Sequence, residues 1–310
     1  MKKIRSKLTQ TRIITFSIFA LLVVVLAFTP SNPGILSGRQ TSNLAGVNVA
    51  VYGGGHSTGN LASRTALIHM FVWMGAIVTE LSPDAVVNGD LTVYDMLVMP
   101  AISPYTLRDE MTSICYDIIR DYIAAGGAFF CITGGTYFEW DFFELFDVKL
   151  QGSLQELPSG KNLVTININK ESTGPDLSAE SDSYSALVWT GSYFDAPSMN
   201  DVNVIARYDE NDLPCMVTFE YGDGTVFLSS PHPENEEGNP RDGTDYEDEL
   251  DDPDSEWNLL LIISQWLVDF TDGPTPNPFS GRIIIIGVVV VVVVVVGGVG
   301  LFFMRRRTPT

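Results

Sequence analysis

Cysteine and histidine are scarce in this chain, with three of each among 310 residues. The thiols Cys115, Cys131 and Cys215 make an odd number and give no disulfide framework. Cys115 and Cys131 stand in apolar surroundings and read as buried thiols. No Asn-x-Ser/Thr sequon occurs, so N-glycosylation is not expected. Basic residues are few: 18 Lys and Arg stand against 38 Asp and Glu. Nine of those 18 lie near the two ends, five before residue 13 and four from Arg282 onward, while every acid lies between. The middle of the chain therefore carries nine bases against 38 acids, a net of −29. Such a surface repels nucleic acid and anionic headgroups, which excludes a nucleic-acid partner. The spacing Gly53-x-Gly55-x-x-x-Gly59 misses the dinucleotide fingerprint by one residue, so the glycines read as a tight strand-to-helix turn and no cofactor is expected. The stretch Glu234–Glu256 holds 12 acids and one base, Arg241, but lacks the Asp-x-Asp-x-Asp-Gly order of an EF-hand. It reads as a solvated loop, with no metal site. No internal repeat is present.

Long apolar runs are present, and they lie at the two ends. Residues 1–29 join a basic start (Lys2, Lys3, Arg5, Lys7, Arg12) to an apolar run from Ile13 to Phe28, which reads as a signal peptide or an uncleaved signal-anchor. Residues 283–304 carry no charge, include nine consecutive valines and precede Arg305, Arg306 and Arg307. About 20 apolar residues cross a bilayer core, and the backbone in lipid must satisfy itself as a helix. These features predict a protein anchored in the cell membrane by its terminal segments. The middle domain then faces outward and the termini, including a short tail at 305–310, face the cytoplasm. Residues 30–45 and the Pro-rich 271–282 read as stalks, leaving a domain at 46–270 of about 225 residues, enough for one substantial core.

Within that domain the first half alternates strand and helix. Strands are predicted at 47–52, 76–81, 94–100 and 128–132, and helices at 60–74 and 108–125. The second half is strand-rich, with strands at 163–168, 186–190, 202–208, 216–221 and 225–229 and a hairpin turn at Gly222-Asp223-Gly224. A helix at 257–270 follows. The expected fold is α/β: a flavodoxin-like, doubly wound, mainly parallel sheet with additional strands from the second half. Ligands in such sheets sit beyond the carboxyl ends of the strands. Gly53-Gly54-Gly55-His56, Pro100-Ala101-Ile102-Ser103, Cys131-Ile132-Thr133-Gly134-Gly135 and Ser230-Pro231-His232-Pro233-Glu234 are expected to meet there.

Two of these segments carry a family resemblance. The run Gly126-Gly127-Ala128-Phe129-Phe130-Cys131-Ile132-Thr133-Gly134-Gly135-Thr136-Tyr137-Phe138 resembles the nucleophile-elbow region of the class I glutamine amidotransferase-like superfamily. It is most like the branch named after the N-terminal domain of biotin–protein ligase. Gly224-Thr225-Val226-Phe227-Leu228-Ser229-Ser230-Pro231-His232-Pro233-Glu234 resembles the later strand of that branch, which ends in His-Pro-Glu. The resemblance implies a triad in which Cys attacks a carbonyl, His takes its proton and Glu orients the imidazole. His232 and Glu234 fall on the base and its orienter, and Thr133 falls on the nucleophile.

A Thr hydroxyl ionises far less readily than a thiol, and its branched Cβ suits a strained elbow poorly. The family's Pro-Gly-Gly after the third strand is Pro100-Ala101-Ile102 here, which restricts an oxyanion hole. The expected function is a non-catalytic ligand-binding or scaffold module. A small-molecule or peptide ligand would meet Gly53, Gly54, His56, Ala101, Cys131 and Gly134 in the cleft. The alternative is a surface hydrolase of amides, esters or peptides that uses Thr133, or Cys131 in a shifted register, with His232 and Glu234.

Overall fold

The computed structural model describes residues 43–269, except 89, 112, 134–148, 152–158, 191 and 196–200. Among the described residues the first elements are strand β1 (Asn48–Tyr52), helix α1 (Thr58–Trp73), strand β2 (Ile77–Leu81), the short helix α2 (Pro83–Val87) and strand β3 (Met96–Met99). Helices α3 (Pro104–Glu110) and α4 (Ser113–Ala124) lead to β4 (Ala128–Ile132). The second half supplies β5 (Lys149–Gln151), β6 (Ser159–Ile168), β7 (Ser183–Thr190), β8 (Tyr193–Asp195), β9 (Asn203–Tyr208), β10 (Pro214–Tyr221) and β11 (Gly224–Ser229), then helix α5 (Trp257–Asp269).

Nine strands form one sheet in the order β2-β1-β3-β4-β11-β10-β9-β6-β7, and β5 pairs with β8 in a separate ribbon. The first five are parallel to their neighbours, and the remaining pairings are antiparallel. The expected α/β arrangement, a parallel sheet extended by strands of the second half, is thus present. The inner parallel strands β1, β3, β4 and β11 are short and largely apolar because both faces are covered, whereas the edge strand β2 is largely exposed. Side chains alternate between faces, so Val49, Val51, Met96, Val98, Phe130 and Phe227 enter one core with Leu67, Met70 and Phe71 of α1 and Leu259, Leu260 and Ile263 of α5. Ala50, Tyr52, Leu97, Met99, Phe129 and Leu228 enter the other, with Leu107 of α3 and Cys115, Ile119 and Ile123 of α4.

Local chemistry sets the ends of these elements. The Ser57 side chain caps α1 by accepting from the Asn60 amide, and Gly75, at φ 88°, turns the chain out of that helix. The single helix expected at 108–125 is two helices in the structure. Met111 is extended (φ −106°, ψ 138°) and buried, its amide still donates to the Leu107 carbonyl, and the Tyr116 hydroxyl donates to the Met111 carbonyl at 3.2 Å. The β10–β11 hairpin turns through Gly222 and Asp223 as expected. Gly222 has φ 63°, and a Cβ there would lie 2.7 Å from Ala124 backbone atoms, so the turn requires glycine twice over.

Two expectations are corrected. The first is the membrane-anchored, outward-facing domain. Among the described residues no helix is long and apolar enough to cross a membrane. The longest, α1, has 16 residues and spans roughly 24 Å at 1.5 Å per residue, short of a bilayer core of about 30 Å. The membrane partner, the transmembrane helices and the assigned location fall with that reading. The segments that carried it, residues 1–29 and 283–304, lie outside the described residues, as do the stalk at 271–282, nearly all of that at 30–45, and the tail at 305–310. The second is the solvated acidic loop. Glu234, Glu236, Glu237, Asp242 and Glu256 are all buried. Arg241 organises the segment by pairing with Glu236 and stacking over the Trp257 ring at 4.1 Å.

Phe130 sits at the middle of the first core, 5.4 Å from the Phe71 ring and 4.7 Å from that of Phe227. Phe130→Ala is expected to lower unfolding free energy by about 3–5 kcal/mol in urea denaturation. Val72→Ala, at a side chain 59% exposed on α1, should change it by less than about 1 kcal/mol.

Candidate functional site

The parallel pairing of β4 with β11 sets Ile132 opposite Ser229, so the residues that follow, Thr133 and Ser230, leave the sheet side by side. Thr133 has φ 35°, in the left-handed region that a β-branched residue enters only under strain. Its Oγ1 donates to the Ser230 carbonyl at 2.5 Å and lies 3.1 Å from His232 Nε2. His232 Nδ1 is 3.2 Å from Glu234 Oε1. The three residues anticipated from the motifs therefore stand together, all of them buried.

The imidazole is fixed on every side. The His232 amide donates to the Leu187 carbonyl, and the Trp189 ring stacks on it at 4.3 Å and 23°. Both contacts come from β7, at the far edge of the sheet, so the sheet curls until its last strand reaches the loop after β11. Gly59 makes room for that tryptophan, since a Cβ there would lie 2.2 Å from the Trp189 ring. The Glu234 carbonyl accepts from Trp257 Nε1 at 3.0 Å, which ties the segment to α5.

Ser63 joins the site from α1. Its hydroxyl donates to Glu234 Oε1 at 2.6 Å and accepts from the Ala101 amide at 3.0 Å. Asn60, one turn earlier, donates to the Ala101 carbonyl at 3.3 Å. The backbone amide where an oxyanion donor was expected is thus already occupied by a side chain of the same protein. The glycine loop after β1 is occupied in the same way: the Gly55 amide donates to the Glu110 carboxylate at 3.0 Å, and the Tyr52 hydroxyl donates to it at 2.9 Å. Burial first, and then that carboxylate, push the Tyr52 phenol well above its ordinary pKa, which keeps it a donor.

The other anticipated residues are dispersed. Gly53 donates its amide to the Leu81 carbonyl, and Gly54 packs against Tyr52 and Glu110. His56 is exposed, on the loop between β1 and α1. Cys131 is fully buried inside β4 between Met99 and Leu228, away from the strand end where a nucleophile would stand. Gly134 lies outside the described residues. Sequence reasoning missed Ser63, Trp189 and Glu110. Ser63 had a signal, because Asn60 and Ser63 fall on the same face of α1 as the apolar Leu67, Met70 and Phe71.

No protein-family model matches the chain, and no curated protein matches it in sequence. Solved structures do match. A ThuA-like protein from Bacteroides uniformis aligns with 77% of this chain and 97% of its own, at 14% identity and a TM-score of 0.51. A protein from Salmonella typhimurium described as cytoplasmic aligns with 73% of this chain and 98% of its own, at 16% identity and a TM-score of 0.48. A glutamine amidotransferase from Thermotoga maritima aligns with 72% of this chain and 94% of its own, at 12% identity and a TM-score of 0.46. At such identities the likeness is one of architecture, and the chain shares the fold of the ThuA-like protein.

Ser63→Ala would strand the Ala101 amide and remove the one hydroxyl donor to Glu234. A loss of about 2 kcal/mol is expected in chemical denaturation, against a few tenths for Ser57→Gly at the exposed start of α1.

Proposed function

We propose that this chain is a non-catalytic ligand-binding or scaffold module on the glutamine amidotransferase-like fold, in which Thr133, His232 and Glu234 serve as a buried latch. The observation that carries this reading is where the Thr133 proton goes. A hydroxyl proton points chiefly at its shorter, better aligned acceptor. At 2.5 Å from the Ser230 carbonyl it is committed there, since two lone pairs at that separation would repel. His232 Nε2 is then not the acceptor of that proton, whereas a general base takes the proton of its nucleophile. The Ala101 amide, spent on Ser63, removes an oxyanion donor as well. The two motifs at 126–138 and 224–234 support a relation to the biotin–protein ligase N-terminal domain branch within this fold.

A second reading, hydrolysis of amides, esters or peptides through Thr133, is favoured by two observations. They are the strained φ of 35° at Thr133 and the 3.1 and 3.2 Å separations along Thr133, His232 and Glu234. The two readings part on turnover. Wild-type protein and Thr133→Ser, which keeps the hydroxyl and relaxes the backbone strain, are expected to show no release above buffer from p-nitrophenyl esters, peptide anilides or glutamine. Turnover that disappears in Thr133→Val and His232→Gln, with circular dichroism unchanged, would replace the binding module with the hydrolase.

A further inference from the structure

The segment between Glu234 and α5 contains a second set of acids, two of them buried, that the latch does not use. Carboxylate oxygens of Asp252, Asp254 and Glu256 all lie within 4.8 Å of one another. Glu256 is 1% exposed, and its Oε1 has no hydrogen-bond partner. Glu237 is 4% exposed and also has an unpartnered oxygen, Oε1. A cleft of about 380 Å³ reaches Glu237, Asp252 and Asp254 from solvent.

We propose that Glu237, Asp252, Asp254 and Glu256 form a binding site for one divalent cation of calcium's size. A carboxylate withdrawn from water needs a donor or a counter-charge. Glu256 Oε1 has neither, and this carboxylate faces two others. The nearby base does not fill the role, because Arg241 gives its Nη2 to Glu236 and Ser255 and lays its guanidinium on Trp257. Two negative charges or more at this spacing are tolerated only with a proton or a cation between them.

The donor set and its spacing select the ion. Calcium takes oxygen ligands at about 2.3–2.6 Å, so two of its ligands stand at most about 5 Å apart. Magnesium, at about 2.0–2.1 Å, demands a tighter octahedron and keeps most of its water, and zinc and copper favour imidazole or thiolate, which the cluster lacks. The site would tie together both ends of the segment that carries Glu234. Glu237 lies three residues beyond the latch, and Glu256 adjoins Trp257, whose ring nitrogen holds the Glu234 carbonyl.

The test is titration of the chelator-treated full chain with calcium chloride, followed by calorimetry and thermal unfolding. Potassium chloride at matched ionic strength and magnesium chloride serve as controls. One calcium per chain and a melting temperature raised by several degrees are expected, with no comparable gain from either control salt. Asp252→Asn with Asp254→Asn, both outside the buried core, should weaken binding at least about tenfold and leave the metal-free fold intact. Glu256→Gln should raise the metal-free melting temperature and abolish the calcium response. No heat and no stabilisation up to about 10 mM calcium overturns the proposal, as does an equal gain from magnesium or an undiminished response in these variants.

Discussion

The parallel pairing of β4 with β11 is the contact on which the rest of this molecule depends. It joins the parallel half of the sheet, built before residue 133, to the antiparallel half that follows. It also fixes the phase of two loops. With Leu228 opposite Cys131 and Ser229 opposite Ile132, Thr133 and Ser230 can only emerge as neighbours. A slip of one residue would turn Thr133 to the other face and separate it from His232. The register is held by burial on both sides, since Phe129 and Leu228 belong to one core and Phe130 and Phe227 to the other.

At the carboxyl edge of the sheet, polar groups that this architecture turns toward a ligand are met from within. Glu110 fills the Gly55 amide, Ser63 fills the Ala101 amide, and the Ser230 carbonyl takes the Thr133 proton. Each bond is an ordinary one. The proposed latch rests on their coincidence at one edge. His232 and Glu234 keep the geometry of a base and its orienter because the same contacts that close the site, Trp189 on the ring and Ser63 on the carboxylate, also hold it rigid.

Much of the architecture is legible in the sequence because its strands obey simple periodicities. The central strands are short apolar runs bounded by glycine, and β4 falls where Ala128–Ile132 was expected. Thr133, His232 and Glu234 were legible as a group because they lie in two contiguous motifs. Ser63, Glu110 and Trp189 were not, because each reaches the site from an element far away in the chain, and local pattern carries no record of such contacts. The break between α3 and α4 was hidden for a similar reason. Met111 is drawn into the core by packing, while the helical spacing runs on across it. The acidic segment misled through composition: charge counts treat acids as solvated, and a single arginine laid on a tryptophan reorganises them.

The bond from Ser63 to Glu234 spans 171 positions of the chain, and that from Thr133 to Ser230 spans 97. Contacts of such separation form only after the entropy of closing the intervening loop has been met. The contacts of this edge can therefore form only once β11 and the segment beyond it have been brought to the sheet. A growing chain emerging from the ribosome holds Ser63, Ala101 and Thr133 with their polar groups turned to water until the final strand arrives. Closure of the site is, in time as well as in space, the signature of a finished fold.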